Sequence, residues 1–61
     1  MNRIVKILMQ RDEMSKEEAQ ELLQETRDAM MAAIDAWDFF EVEDIMADYL
    51  GLEPDYIFDI I

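Results

Sequence analysis

The sequence predicts an all-α protein, a small single-domain helical bundle in which one long helix packs with three shorter ones. A chain of 61 residues is long enough for one small hydrophobic core. Apolar residues make up 52% of the chain and recur at helical spacing, which distinguishes it from a disordered acidic tail. The chain contains no Cys and no His, so we expect packing, helix capping or self-association to stabilise it rather than disulfides or zinc.

The first helix is predicted over residues 3–11. Ile4, Ile7 and Leu8 share one face of it, and polar side chains lie opposite. This apolar run is too short to cross a bilayer, and no small-residue cleavage site follows it. We therefore expect no membrane anchor and no signal peptide, and a cytoplasmic protein.

The second helix is predicted from Ser15 to about Trp37, a length of roughly 33 Å. Ser15 and Glu18 form an S-x-x-E capping box, and Met14 is placed before it as a hydrophobic staple. On a helical projection one face of roughly 120° carries the residues expected in the core. These are Ala19, Leu22, Leu23, Thr26, Ala29, Met30, Ala33 and Trp37.

A third helix is inferred from a change in the phase of the apolar pattern. If the second helix continued, the later apolar stripe would lie about 160° around the helix from the apolar face of the second helix. One straight helix cannot bury both, so a turn is expected near Asp38. The Asp38 carboxylate then caps the third helix in a D-x-x-E arrangement with Glu41, and Gly51 ends it in a left-handed conformation. The stripe consists of Val42, Ile45, Met46, Tyr49 and Leu50.

A short fourth helix is predicted after Gly51. Pro54 suits its first turn, where the missing amide hydrogen is not needed. Four apolar residues would then return to the core: Tyr56, Ile57, Ile60 and Ile61.

The aromatic residues around the second turn are expected to divide between core and surface. Trp37 and Phe39 fit the core faces of their helices, so burial is predicted for both. Phe40 points about 140° away from the centre of the third helix's apolar face, and we expect it to contact a partner or a second copy. Met31 and Phe58 are also off the core faces of their helices.

The chain is strongly acidic. Sixteen Asp and Glu residues against five Lys and Arg residues give a formal net charge of −11. Residues 1–16 carry four basic and two acidic side chains, net +2, whereas residues 17–61 carry one basic and fourteen acidic side chains, net −13. Such charge repels nucleic acid and anionic membranes, so we expect no direct nucleic-acid binding, no membrane binding and a basic protein as partner.

Catalysis and metal binding are not expected. Without Cys or His, and with the only Ser assigned to a helix cap, the chain has only carboxylates, Tyr49, Tyr56, Lys6 and Lys16 left for catalysis, and no pattern places two carboxylates in a concave apolar site. It contains no D-x-[DN]-x-[DN]-G calcium loop, and the E-x-x-H element of di-iron bundles requires histidine. The sequence therefore predicts no enzyme activity, no cofactor and no metal site.

Two rows of carboxylates form the candidate partner-binding site, together with Phe40 as its apolar contact. The row on the second helix lies within about 40° and extends over roughly 27 Å. Regularly spaced negative charge of this kind is attracted to the Lys/Arg surface of a nucleic-acid-binding protein. The rows consist of Glu17, Glu21, Asp28 and Asp35 on the second helix and Glu41, Asp44 and Asp48 on the third.

The acidic rows have an alternative interpretation besides partner binding. In this interpretation they are solvated faces that only keep the protein soluble, although a net charge of about 2 to 8 usually suffices for that in a small domain. The protein would then be a structural homo-oligomer or an assembly adaptor that uses its remaining apolar side chains. Salt separates these functions, because electrostatic binding weakens as salt rises and apolar association does not.

Two segments carry a resemblance, R-D-E-M-S-K-E-E-A at residues 11–19 and Y-L-G-L-E-P-D-Y-I-F-D at residues 49–59. Over essentially its whole length the chain resembles a group of short acidic proteins of phages and other bacterial mobile elements. The resemblance implies a host-takeover or anti-defence setting, in which small acidic DNA-mimicking inhibitors of restriction, CRISPR and DNA-packaging proteins are common. It carries over no activity and no active residue.

Overall fold

The structure is a computed structural model that describes residues 2–60. It is an all-α bundle, as predicted, and the described residues contain no strand. The molecule measures 33 × 18 × 17 Å, and its long axis corresponds to the roughly 30 Å of a 20-residue helix. The elements are α1 (Arg3–Arg11), α2 (Lys16–Asp35), α3 (Phe39–Ile45), a π-helical turn (Met46–Leu50), a 3₁₀ turn (Pro54–Tyr56) and α4 (Ile57–Ile60).

The predicted capping residues begin the helices. Ser15 Oγ accepts a hydrogen bond from the Glu18 amide at 3.1 Å, and Glu18 Oε1 accepts one from the Ser15 amide at 3.4 Å, which completes the capping box. Asp38 Oδ1 accepts from the Glu41 amide at 3.1 Å. The reciprocal bond of a capping box is missing at Asp38, because its own amide donates to the Ala33 carbonyl at 2.9 Å.

The end of α2 lies at Asp35, two residues before the predicted end. Trp37 adopts a left-handed conformation with φ 58°, and its amide donates to the Ile34 carbonyl at 3.0 Å. Together with the bond from Asp38 to Ala33, this is a Schellman motif. Glycine usually occupies the left-handed position of that motif, so the tryptophan here gives the sequence no recognisable stop signal. Gly51 has the predicted left-handed conformation, with φ 64°, but it ends a π-helical turn that follows α3, because α3 itself ends at Ile45.

The core is built almost wholly from aliphatic side chains and methionine. α1 and α3 pack against α2, and α4 packs on α1. Thr26 is also fully buried, and its hydroxyl donates to the Leu22 carbonyl at 2.7 Å, which satisfies it. The buried apolar residues are Ile4, Val5, Leu8, Ala19, Met30, Ala33, Val42, Ile45, Met46, Leu50 and Ile60.

The predicted burial of Trp37 and Phe39 is wrong. Trp37 is 81% exposed, because it lies beyond the end of α2, where the left-handed turn removes it from the apolar face. Phe39, the first residue of α3, is 55% exposed. Tyr49 is also exposed rather than buried, since the π-helical turn changes the angular spacing of the residues that follow Ile45.

The two ends of the chain meet on one side of the bundle. Asn2 Nδ2 donates to the Asp59 carbonyl at 2.9 Å, and Arg3 forms an ion pair with the Asp59 carboxylate at 3.6 Å. The Arg3 guanidinium also lies 4.8 Å from the centre of the Tyr56 ring. Tyr56 and Ile57 are half-buried and Ile60 is buried, whereas the predicted burial of Ile61 lies outside the described residues.

Across residues 2–60, the structure has no helix that is both long enough and apolar enough to span a membrane.

Candidate functional site

The carboxylates predicted on the third helix line a groove between α2 and α3, which we call the acidic groove. Glu41, Asp44 and Asp48 lie along its α3 side, together with Asp38 from the turn. The groove has a volume of about 470 Å³ and is open to solvent. Small side chains of α2 form its floor: Ala29, Ala32, Ala33 and Ala36.

The acidic row of α2 lies on the other side of this floor. Glu17, Glu21, Asp28 and Asp35 are all exposed. Counting 100° per residue, their row is about 80° from the stripe of exposed alanines and points away from α3. Asp28 accepts a hydrogen bond from Gln24 Nε2 at 2.9 Å, which is a contact within α2. Asp28 and Asp35 therefore lie beside the alanine floor on the side away from α3, whereas Glu17 and Glu21 lie about two turns or more nearer the start of α2 and are not part of the groove.

The acidic groove presents negative charge without concentrating it at one point. Among the residues that the structure describes, no three carboxylates converge closely enough to hold a metal ion. Small residues on the floor leave space for long side chains of a partner to reach the carboxylates. This geometry suits Lys and Arg side chains that approach in a row.

Three exposed aromatic side chains lie in the turn between α2 and α3 and on the first two residues of α3, and we call this surface the aromatic turn (Trp37, Phe39 and Phe40). The Trp37 and Phe39 rings are in edge-to-face contact, with centroids 6.1 Å apart. Phe40 is 82% exposed, in agreement with its predicted outward orientation. Asp38, at the end of the acidic groove, lies within this turn, so the apolar and acidic surfaces adjoin.

A second depression, which we call the apolar cleft, lies on the opposite flank of α3. Phe39 and Val42 of α3 form one wall, and Ile57 and Pro54 from the C-terminal turns form another. Ile34 of α2 and the exposed Glu43 complete its lining, and its volume is about 430 Å³. Phe39 belongs to both the cleft and the aromatic turn.

The Arg11 side chain forms hydrogen bonds with other residues of the protein. Its guanidinium donates to both carboxylate oxygens of Asp12, at 3.0 and 2.8 Å, and to the carbonyls of Leu50 and Gly51. The hydrogen bonds from Arg11 lower the pKa of the Asp12 carboxyl, and the positive charge adds to the effect. The same hydrogen bonds with Asp12 raise the pKa of Arg11.

Sequence reasoning identified the outward-facing carboxylates and Phe40 but missed three features of this surface. It assigned Asp38 only to a helix cap, whereas Asp38 also lines the acidic groove. It placed Trp37 and Phe39 in the core. The alanine floor had a usable signal, because Ala29, Ala32 and Ala36 recur at intervals of three and four residues on one helix face.

Comparisons with known proteins give no relative: the chain matches no protein-family model, no curated protein and no solved structure.

Proposed function

We propose that this protein is a binding module that occupies a basic, normally nucleic-acid-binding surface of a partner protein. In this proposal the acidic rows of α2 and α3 take the place of a nucleic-acid backbone. Phe40 supplies an apolar contact beside them. The setting implied by the resemblance, inhibition of a restriction, CRISPR or DNA-packaging protein, belongs to the same proposal.

The observation that carries the proposal is the arrangement of the carboxylates about one open groove. Asp38, Glu41, Asp44 and Asp48 line its α3 side, and Asp28 and Asp35 of α2 lie beside the alanine floor on the other side. Negative charge held on two neighbouring helices is electrostatically complementary to a Lys/Arg surface that normally contacts a nucleic-acid backbone.

The electrostatic asymmetry of the chain supports the same proposal. Residues 17–61 carry a net charge of −13, and Arg27 is the only basic residue among them. Arg3 and Arg11, in the first helix, are both engaged in contacts within the fold. The negative field of α2 and α3 is therefore free to attract a basic partner at long range.

The test is to capture partners from bacterial lysate with the intact protein at about 0.1 M and 0.5 M salt, where the Debye length falls from about 10 Å toward 3–5 Å. We expect a DNA- or RNA-binding protein to be retained at the lower salt and released at the higher. Its affinity is then measured for two single variants of equal charge. One reverses a carboxylate of the groove (Asp44→Lys), and the other reverses a carboxylate outside both rows and away from the apolar cleft (Glu13→Lys).

We expect the groove variant to lose at least tenfold in affinity and the control variant to lose much less. Circular dichroism checks that both variants keep their helical content. Equal losses in the two variants would mean that only net charge matters, and an unchanged affinity in the groove variant would contradict the proposal.

A homo-oligomer is the second candidate, and the exposed aromatic residues favour it. Trp37, Phe40 and Phe58 are each more than 80% exposed, which is costly for a chain that works alone. Sedimentation at the same two salt concentrations distinguishes the candidates. Self-association that persists or strengthens at high salt, without capture of a basic protein, would favour the oligomer.

A further inference from the structure

We infer that the apolar cleft binds a cationic amphipathic helix of the partner. The inference rests on the proposed function, from which it takes the positive charge of the partner. It adds the place where apolar side chains of that partner bind. The acidic groove and the apolar cleft lie on opposite flanks of α3, so a partner that contacts both has to extend around this helix.

The cleft is large enough and apolar enough for such side chains. Its volume of about 430 Å³ falls within the range of about 300–1,000 Å³ that is usual for binding pockets. Phe39, Ile57 and Pro54 supply its rim, and Val42 reaches it from the core. Phe39 remains 55% exposed there, so much of this ring is available to a partner. Leucine-sized side chains spaced along one helix face are the usual occupants of such grooves.

The structure also places apolar surface here that the core does not require. All three phenylalanines and the only tryptophan are exposed, while aliphatic residues fill the core. Trp37 holds a left-handed conformation that glycine would adopt at lower cost, and its ring lies against Phe39 at the edge of the cleft. At protein interfaces, a few residues supply most of the binding energy, and aromatic side chains are common among them. Trp37 and Phe39 are exposed and already hold each other in place, as such residues often do.

Charge determines which occupant fits. The residues that line the cleft include Glu43 and no Lys or Arg, and Glu53 and Asp55 flank Pro54 in the chain. A second copy would bring a net charge of −11 against the same −11. Like charges across an interface oppose association, whereas lysines beside the apolar face of a helix would meet these carboxylates. A cationic partner is therefore favoured over self-association at this cleft.

The experiment uses the full chain and three dye-labelled synthetic peptides. The first has leucines at helical positions i, i+3, i+4 and i+7, with lysines on the flanks. The second has the same composition in an order that places no two leucines on one face, and the third replaces the lysines of the first by glutamates. Peptide anisotropy measures affinity, and the emission of Trp37, the only tryptophan, reports whether binding reaches the edge of the cleft.

We expect the first peptide to bind at least tenfold more tightly than either of the others and to shift Trp37 emission to shorter wavelength. Phe39→Ala should weaken this binding at least tenfold, the scale of a single dominant interface residue. Phe58→Ala is the matched control, because this equally large ring is 87% exposed and lies outside the cleft lining, and it should leave the affinity within twofold. If Phe39→Ala impairs folding, Glu43→Lys tests the charge at an exposed position, with an expected loss of about fivefold.

Equal binding of the first two peptides, or equal effects of Phe39→Ala and Phe58→Ala, would overturn the cleft inference. If binding then depends on Asp44 and Asp48 alone, the proposed function stands without the cleft. If no cationic peptide binds although a basic protein is still captured at low salt, only the cleft inference fails, and if neither binds, both fail. A concentration-dependent emission shift without peptide, abolished by Phe39→Ala, would assign the cleft to a second copy and also overturn the inference.

Discussion

Trp37 contacts Phe39 edge to face across the turn between α2 and α3, with ring centroids 6.1 Å apart and planes at 86°. An aromatic pair of this kind stabilises by about 0.5–1.5 kcal/mol. Holding a residue other than glycine in the left-handed conformation of Trp37 costs roughly 1–2 kcal/mol. The ring contact therefore offsets much of the backbone strain at the residue that ends α2.

Substitution of Trp37 should separate these two effects. Trp37→Gly and Trp37→Ala both remove the ring contact, but only glycine also removes the strain. We expect the glycine variant to be more stable than the alanine variant by about 1 kcal/mol, measured as the free energy of unfolding in urea. Equal stability of the two variants would mean that residue 37 does not keep its left-handed conformation in solution.

The capping box at the start of α2 should contribute measurably to stability. Ser15→Ala removes the acceptor of the Glu18 amide, and we expect a loss of about 1 kcal/mol in the free energy of unfolding. Ser15→Asp is the control, because aspartate is an equally good cap. A loss of the same size in both variants would point to a different role for Ser15.

Truncation of a core side chain should destabilise the protein much more than truncation of an exposed aromatic side chain. Met30 is fully buried, so Met30→Ala should cost about 2–5 kcal/mol. A domain of this length has a total free energy of unfolding of roughly 3–9 kcal/mol, so a large fraction of the Met30→Ala variant should be unfolded. Phe58→Ala should change stability by less than about 0.5 kcal/mol. Thermal unfolding followed by far-ultraviolet dichroism checks both, and a large loss in Phe58→Ala would place that ring in the packed structure.

Arg11 links pH to stability through Asp12. The pKa of the Asp12 carboxyl is lower in the folded protein than in the unfolded chain. The pairing of Asp12 with Arg11 therefore stabilises the fold fully at pH values above the unfolded-state pKa. This stabilisation is lost as the pH falls through the folded-state pKa. Arg11→Gln should raise the pKa of Asp12 toward its ordinary value, as a carboxyl-carbon NMR titration would show. It should also remove the hydrogen bond to the Leu50 carbonyl, worth roughly 0.5–1.5 kcal/mol.

An unchanged Asp12 titration in Arg11→Gln would show that the pair does not form in solution. Lys6→Gln removes the same charge from an exposed position of α1 and serves as the control, because no hydrogen bond to Asp12 is lost with it.

Salt should stabilise the isolated protein while it weakens partner binding. The net charge of −11 implies self-repulsion in the folded state, and ions screen it. We expect Tm to rise between about 0.02 M and 0.5 M sodium chloride, measured by thermal unfolding. A falling Tm would mean that ion pairs such as Arg3 with Asp59 outweigh the repulsion.

Local signals in the sequence predicted the fold well. The capping box at Ser15, the left-handed Gly51 and the turn at Asp38 depend on neighbouring residues, and each appears where predicted. The end of α2 could not be predicted in this way, because Trp37 occupies a position that usually carries glycine. The exposure of Trp37 follows from that backbone conformation and was therefore missed with it, whereas Phe39 lies beside Val42 at the open apolar cleft and stays 55% exposed there.

The candidate site was only partly predictable. Helical phase suffices to place Asp44 and Asp48 at the surface, because that follows from the helix alone. That they share a groove with Ala32 and Ala36 depends on how α2 and α3 pack, which no local pattern encodes. The apolar cleft requires Pro54 and Ile57 to pack beside Phe39 and Val42, which are distant from them in sequence, and no local pattern indicates that packing.

The aliphatic core has a consequence for how folding of this protein is observed. A strong near-ultraviolet dichroism spectrum requires aromatic rings that are held in a fixed asymmetric environment, and loss of that signal is commonly used to identify a molten globule. Here the only tryptophan and all three phenylalanines are exposed even in the native state. Defined contacts are made by the Tyr56 ring, which is half-buried beside Arg3, and by the Trp37–Phe39 pair. The native near-ultraviolet spectrum will therefore report these surface contacts, and methyl resonances of Leu8, Met30 and Leu50 will report packing of the core.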